Sequence, residues 1–204
     1  MDLMQIFTLV TGVIYIVLEI RQKNFMWVVG IATSLAAMWV FFRQGLYASF
    51  GLNTYYFITA FIGLWHWSRD KRSLAQEKQI ESGDNDVILL NRLSWKTVLV
   101  SAVISVLGIL ALSVGMKWLH ETGLLAENPM SFLDSAVAVL SAVATWWLVK
   151  AYREQWLLWI VADSLSVLLC AMQGMWWMAA LYLAYVAAAF YGLHYWKRYG
   201  LYGV

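Results

Sequence analysis

One apolar run holds most of the groups that could do chemistry. Between Gln155 and Trp177 the chain reads QWLLWIVADSLSVLLCAMQGMWW, with Asp163 near its middle. At 100° per residue, Trp156, Trp159, Asp163, Ser166, Cys170 and Gln173 share an arc of about 100° on a helix. A charge inside an apolar span costs roughly 2.5–3.5 kcal/mol even on lenient insertion scales, so a compensating partner is required. A salt bridge between helices would serve, but no Lys or Arg lies deep in any apolar block. That favours a site filled by water or by a ligand. An aromatic wall beside a carboxylate suits a flat cationic or polarised ring, through stacking and cation–π attraction.

Two further faces could complete such a site. Asn53, Tyr56, Ala60, Leu64 and Trp67 align on one helix, and Tyr182, Tyr185, Ala189, Gly192 and Trp196 on another. Together with the Asp163 face they would enclose an aromatic-lined cleft holding one acid and a few amides. Asn53 and Gln173 suit interhelical hydrogen bonding equally well. Glu19, one turn from a basic segment, reads as an interfacial group, and Asp134 as a support for a helix N-terminus. Of the 13 tryptophans, most fall near span ends, where belt residues sit. Trp39, Trp146 and Trp159 lie farther in. Other chemistries find no residues. His66, His120 and His194 have no metal-ligand spacing to one another or to the single cysteine, Cys170. There is no phosphate-binding G-x-x-x-x-G-K-[ST] segment and no nucleophile–base pair. The expectation is a binding protein without metal, cofactor or nucleic-acid partner, and not an enzyme.

The elements that must position these residues are membrane spans. Of 204 residues 62% are hydrophobic and 13% charged, where soluble domains carry about 25% charged residues. Seven apolar blocks, at 3–20, 25–43, 47–68, 97–118, 131–149, 156–173 and 175–196, approach the roughly 20 residues a spanning helix needs. The class is an all-α polytopic membrane protein with seven transmembrane helices. The first block opens MDLMQ, acidic where a signal peptide is basic, so it reads as a retained span. All but two of the 14 basic residues, Arg43 and Lys117, fall on one side of such a topology. Cytoplasmic loops hold the excess of Lys and Arg, which places the N-terminus outside and the C-terminus inside. The long connection from Ser68 to Lys96 is charged and reads as a cytoplasmic surface tether, with room for a short amphipathic helix. In the outer loop ENPMSF, Asn128 serves as a helix cap and Pro129 as its first turn. Ser101, Ser105, Gly108 and Gly115 make a small-residue stripe on the fourth span, a seam for another helix or for a neighbouring subunit.

Sliding the chain on itself exposes a repeat at an offset of 129 residues, ungapped from Trp27 to Arg69, with eleven identities. Trp27 matches Trp156, Gln44 and Gly45 match Gln173 and Gly174, and Ala60, Gly63 and Trp67 match Ala189, Gly192 and Trp196. Two three-helix units flank one leftover helix, a 3+1+3 parallel repeat of the SWEET-like kind, whose substrate sites lie near the midplane between repeats. The expected divisions are 1–69 for the first repeat, 70–96 for the cytoplasmic linker and 97–130 for the fourth helix with the outer loop. The second repeat follows at 131–198 and a tail at 199–204. Matched small residues read as packing positions. Unmatched pairs are candidates for an asymmetric ligand: Ser34 against Asp163, Asn53 against Tyr182, Trp65 against His194.

The W-x-x-W-x-x-x-D of Trp156, Trp159 and Asp163, with YYF…GLWHW closing the first unit and YVAAAFYGLHYW the second, resembles the PnuC-type vitamin transporters over all seven spans. The family's best-known members carry nicotinamide riboside, and relatives carry thiamine or riboflavin. The resemblance implies a homotrimer in the bacterial inner membrane that works by facilitated diffusion, a cytoplasmic kinase trapping the substrate. It puts Trp156, Trp159, Asp163, Asn53 and Tyr56 at the substrate, although the family often has a glutamine where Asn53 stands. The faces traced above add Ser166, Gln173, Tyr182 and Ser34. A proton-coupled carrier titrating Asp163, and a seven-helix sensor that binds without transport, remain the alternatives.

Overall fold

The structure, a computed structural model, describes residues 3–43, 47–78, 88–123 and 130–202. Seven helices follow one another: α1 (Leu3–Ile20), α2 (Phe25–Arg43), α3 (Tyr47–Lys78), α4 (Trp95–Glu121), α5 (Ser131–Val149), α6 (Gln155–Met172) and α7 (Trp176–Tyr199). Each occupies one of the seven expected blocks, and α4, α5, α6 and α7 are each long and apolar enough to cross a membrane. Gln44, Gly45, Asn128 and Pro129, with residues 79–87 of the tether, fall outside the described residues.

The tether is more ordered than its charge suggests. α3 continues past residue 68 to Lys78, because this stretch has no Gly or Pro and is rich in helix formers. Arg72 Nε donates to the Ser68 carbonyl at 3.1 Å, and the His66 imidazole lies 3.6 Å from Asp70, one turn on. Farther along, Ile88–Leu90 forms a short strand, β1, which pairs in parallel with β2 (Gly200–Tyr202). Ile88 and Leu90 are buried, so the strand is held by apolar contact as well as by its ladder.

The chain divides into two compact units. The first comprises Met1–Asn91, Thr145–Arg153 and His194–Val204. Here α1 and α5 end alike. Each is closed by a left-handed residue, Gln22 (φ 48°) and Ala151 (φ 53°). The N–H groups of Gln22 and Lys23 reach the Glu19 and Leu18 carbonyls at 2.9 Å. Those of Ala151 and Tyr152 reach Leu148 and Trp147 at 2.9 and 3.0 Å. Both are Schellman caps, unusual in using a residue other than Gly. Carbonyls at these helix ends also take indole donors. Trp67 Nε1 donates to Leu148 and Val149 at 3.2 Å, and Trp196 Nε1 to Ile20 at 2.8 Å. The two indoles meet edge to face, 6.5 Å apart. β1 laces onto both caps. The Gln22 amide donates to the Leu89 carbonyl and accepts from its N–H, each at 2.7 Å. Asn91 donates through its backbone N–H to Ala151 at 3.1 Å and through Nδ2 to Lys150 at 2.9 Å.

Trp27 lies flat against Gly63. A Cβ on Gly63 would come within 2.5 Å of the indole ring, so only glycine admits this approach.

The second unit comprises Arg92–Ala144 and Glu154–Leu193. α4 starts at Ser94, whose Oγ accepts the Thr97 N–H at 3.1 Å. Of its small-residue stripe, Gly108 sits on Val139 while Gly115 meets nothing within 4 Å, and Met116 Sδ beside it accepts from Ser135 Oγ at 3.6 Å. Leu99, Val103, Leu107 and Val114 are exposed, as lipid-facing residues are. Trp156 lies on Gly192 as Trp27 lies on Gly63, with a would-be Cβ 2.6 Å from the ring. Gly174 (φ 72°) ends α6, its N–H on Ala171 at 3.1 Å and that of Met175 on Cys170 at 2.8 Å.

Candidate functional site

Three helices of the second unit each turn a stripe toward one cavity of about 540 Å³, within the range of small-molecule sites. α5 and the turn before it supply Met130, Asp134 and Val137. α6 and its cap supply Ser166, Leu169, Cys170 and Gln173. Met175, Met178 and Tyr182 enter from the start of α7. Each set follows the i, i+3 or i+4, i+7 rule for one face of a helix. The walls combine thioethers with the polar groups of Asp134, Ser166, Gln173 and Tyr182, and the lining includes one carboxylate and no basic side chain.

Asp163 lies three residues before Ser166 on α6, about 4.5 Å of helix rise nearer the middle of the span. It is 8% exposed, and among the described residues it makes no hydrogen bond or ion pair. The Tyr182 and Tyr185 hydroxyls both lie within its electrostatic range. Those two rings meet edge to face at 6.0 Å. One turn back along α6, the Trp159 Nε1 is buried and has no acceptor. A buried acid and a buried indole donor on one helix face, neither paired with protein, are what a polar ligand or ordered water would satisfy.

The remaining site candidates separate. Ser166, Gln173 and Tyr182 gather at the cavity, with Gln173 exposed at its rim and Ser166 buried. Ser166 Oγ also donates to the Ala162 carbonyl at 2.9 Å. Trp156 packs against Gly192 and is buried. Ser34, Asn53 and Tyr56 belong to the first unit. Ser34 is buried there, and Asn53 and Tyr56 are half-buried, with Tyr56 against Tyr55 at 5.7 Å. No cluster of His, Cys, Asp and Glu able to hold a metal occurs among the described residues.

A family model described as nicotinamide mononucleotide transporter matches residues 2–198. The chain belongs to that family. It is an integral membrane transporter, not an enzyme. Among its curated relatives is the nicotinamide riboside transporter PnuC of Escherichia coli K12, 29% identical over 169 residues that cover 77% of this chain and 69% of the relative. The nicotinamide riboside transporter PnuC of Neisseria mucosa is 25% identical over 198 residues, 93% of this chain and 70% of the relative. The crystal structure of the vitamin B3 transporter PnuC superposes with a TM-score of 0.63 at 25% identity, covering 93% of this chain and 78% of that one.

Sequence reasoning missed Met130, Met175 and Met178 as cavity walls, and it gave Asp134 a helix-end role alone. The signal was present in the i, i+4, i+7 spacing of Met130, Asp134 and Val137. Proximity to the loop hid it, because residues at span ends read as interface.

Proposed function

We propose that the protein carries nicotinamide riboside across the bacterial inner membrane by facilitated diffusion, with a cytoplasmic kinase trapping the product. The observation that carries this is Asp163, a buried carboxylate without a protein cation, beside an unpaired indole donor. A pyridinium ring would neutralise the carboxylate, and the carboxamide or ribose would accept from Trp159 Nε1. Family membership and the names of the two PnuC relatives support the substrate class. The riboside is preferred to the mononucleotide because the cavity next to Asp163 holds a carboxylate and no basic group, so a phosphate would meet repulsion without a partner.

The same reading takes the chain as a 3+1+3 parallel repeat, with units 1–69 and 131–198 about the linker and α4. It is supported by contacts that recur at the 129-residue offset: Trp27 on Gly63 and Trp156 on Gly192, and left-handed Gln22 and Ala151. The indole bonds of Trp67 to Val149 and of Trp196 to Ile20 follow the same offset. The basic side is the cytoplasmic one, and the oligomer is a homotrimer. Asn53, Tyr56 and Ser34 are further candidate substrate contacts.

Calorimetry on the purified protein with nicotinamide riboside, the mononucleotide, thiamine and riboflavin tests the reading. The riboside alone should bind tightly. Binding of thiamine or riboflavin instead would keep the transporter and change its cargo. Riboside binding without flux into liposomes would point to a sensor.

A further inference from the structure

We infer that the cavity at the start of α5 is a first-contact subsite for the substrate's cationic ring, with Asp134 as its counter-charge, distinct from the inner site at Asp163. This rests on the reading of the chain as a riboside carrier. Asp134 is the charged residue in the lining, set one turn into α5 by its N–H bond to the Met130 carbonyl at 3.0 Å. It shares the cavity with the thioethers of Met130, Met175 and Met178 and with the Tyr182 ring. Thioethers are polarizable and adapt their shape to an aromatic face, and a tyrosine face attracts a cation. Such walls accept a flat ring in several orientations, while the carboxylate selects the sign of its charge. Tyr182 joins the two stations, because it lines the cavity and lies within electrostatic range of Asp163. A cation can therefore move from Asp134 toward Asp163 along one aromatic side chain and past Ser166. A charge placed this way raises the local concentration of substrate and speeds its capture. Its removal should act on KM and leave the maximal rate near wild type.

The test is uptake of radiolabelled nicotinamide riboside by the full-length protein in liposomes, at low and at high salt. Asp134→Asn should raise KM by roughly 5-fold at low salt with Vmax little changed, and should flatten the salt dependence of Vmax/KM. Asp134→Glu should restore both. If Asp134→Asn fails to fold, Met178→Lys, at a position 42% exposed, sets a cation in the same cavity and should raise KM more strongly. A wild-type KM and salt dependence in Asp134→Asn would overturn the inference, as would a fall in Vmax with KM unmoved, which is the mark of a helix-end role. Wild-type protein that takes up no riboside would overturn the functional reading and the inference with it. Intact wild-type uptake assigns any other failure to the inference alone.

Discussion

α2 and α6 begin alike and part company one turn later. Each starts with a tryptophan laid on a glycine, Trp27 on Gly63 and Trp156 on Gly192, at would-be Cβ distances of 2.5 and 2.6 Å. Three residues on, α2 has Gly30 and α6 has Trp159. Four more, and α2 has Ser34 where α6 has Asp163. Gly30 meets only ordinary contacts, Tyr15 at 3.6 Å and Ala60 at 3.7 Å, whereas Trp159 holds a buried N–H with no acceptor. The packing is therefore duplicated and the chemistry is not. A carboxylate and an indole donor on one helix can recognise an asymmetric ligand, which two identical faces could not orient.

The widest gap between scaffold and site should come from the glycines. Gly63→Ala and Gly192→Ala each force a methyl group into a buried indole, and overpacking of this kind costs about 1–3 kcal/mol or prevents folding. Thermal unfolding in detergent should show both losses. Gly30→Ala should leave the melting temperature within a degree or two, because its Cβ has room. Equal sensitivity at all three glycines would dissolve the distinction.

Next in size is Asp163→Asn, which keeps the shape and removes the charge. Riboside affinity should fall roughly 30-fold, about 2 kcal/mol, with expression and melting unchanged. Ser34→Ala should weaken binding by less than about 3-fold, the range of one modest hydrogen bond. Calorimetry reads both. If Ser34→Ala did as much harm as Asp163→Asn, the two helices would contribute alike and the asymmetry would lose its meaning.

Trp159→Phe sharpens the picture by leaving an aromatic face and deleting the donor. About 5-fold weaker binding is expected, near 1 kcal/mol for one hydrogen bond. A larger loss would mean that the indole's area, and not its N–H, holds the ligand.

How far these features could be read in advance depends on their physical origin. The helices were legible because apolar blocks of about 20 residues have few other uses, and Asp163 was legible because its charge contradicts its surroundings. Trp27, Gly63, Trp156 and Gly192 could be matched by type, but the contact within each pair could not, since residues on different helices leave no local trace in the sequence of which faces meet. Trp156 reads as a ligand candidate by its place in the polar arc, and nothing in that arc announces that its ring also fills the space Gly192 leaves. β1 was hidden for another reason. Val87 to Leu90 is a run of four apolar residues inside a charged tether, too short for periodicity to tell a strand from a buried helical turn, and the partners of Leu89 and Ile88 lie at Gln22 and Gly200.

The smallest single shift comes from Ala151, in one of the two turns that lead into α2 and α6, where Gln22 and Ala151 both adopt the left-handed conformation. A residue with a Cβ is strained there by about 1–2 kcal/mol, and glycine relieves the strain while adding freedom to the unfolded chain. Ala151 engages its neighbours through its backbone, accepting from Asn91 and donating to Leu148, so Ala151→Gly keeps every bond and should stabilise by about 0.5 kcal/mol. Gln22 uses its side chain as well, clasping Leu89 with two hydrogen bonds of 2.7 Å. Gln22→Gly gains the same relief but loses both bonds, each worth about 1 kcal/mol, and should destabilise by about 1–1.5 kcal/mol. Opposite shifts in melting temperature would show that one turn is held by its backbone and the other by β1. Two upward shifts would mean that the Gln22–Leu89 clasp contributes nothing and that β1 is held by its burial and by its other hydrogen bonds.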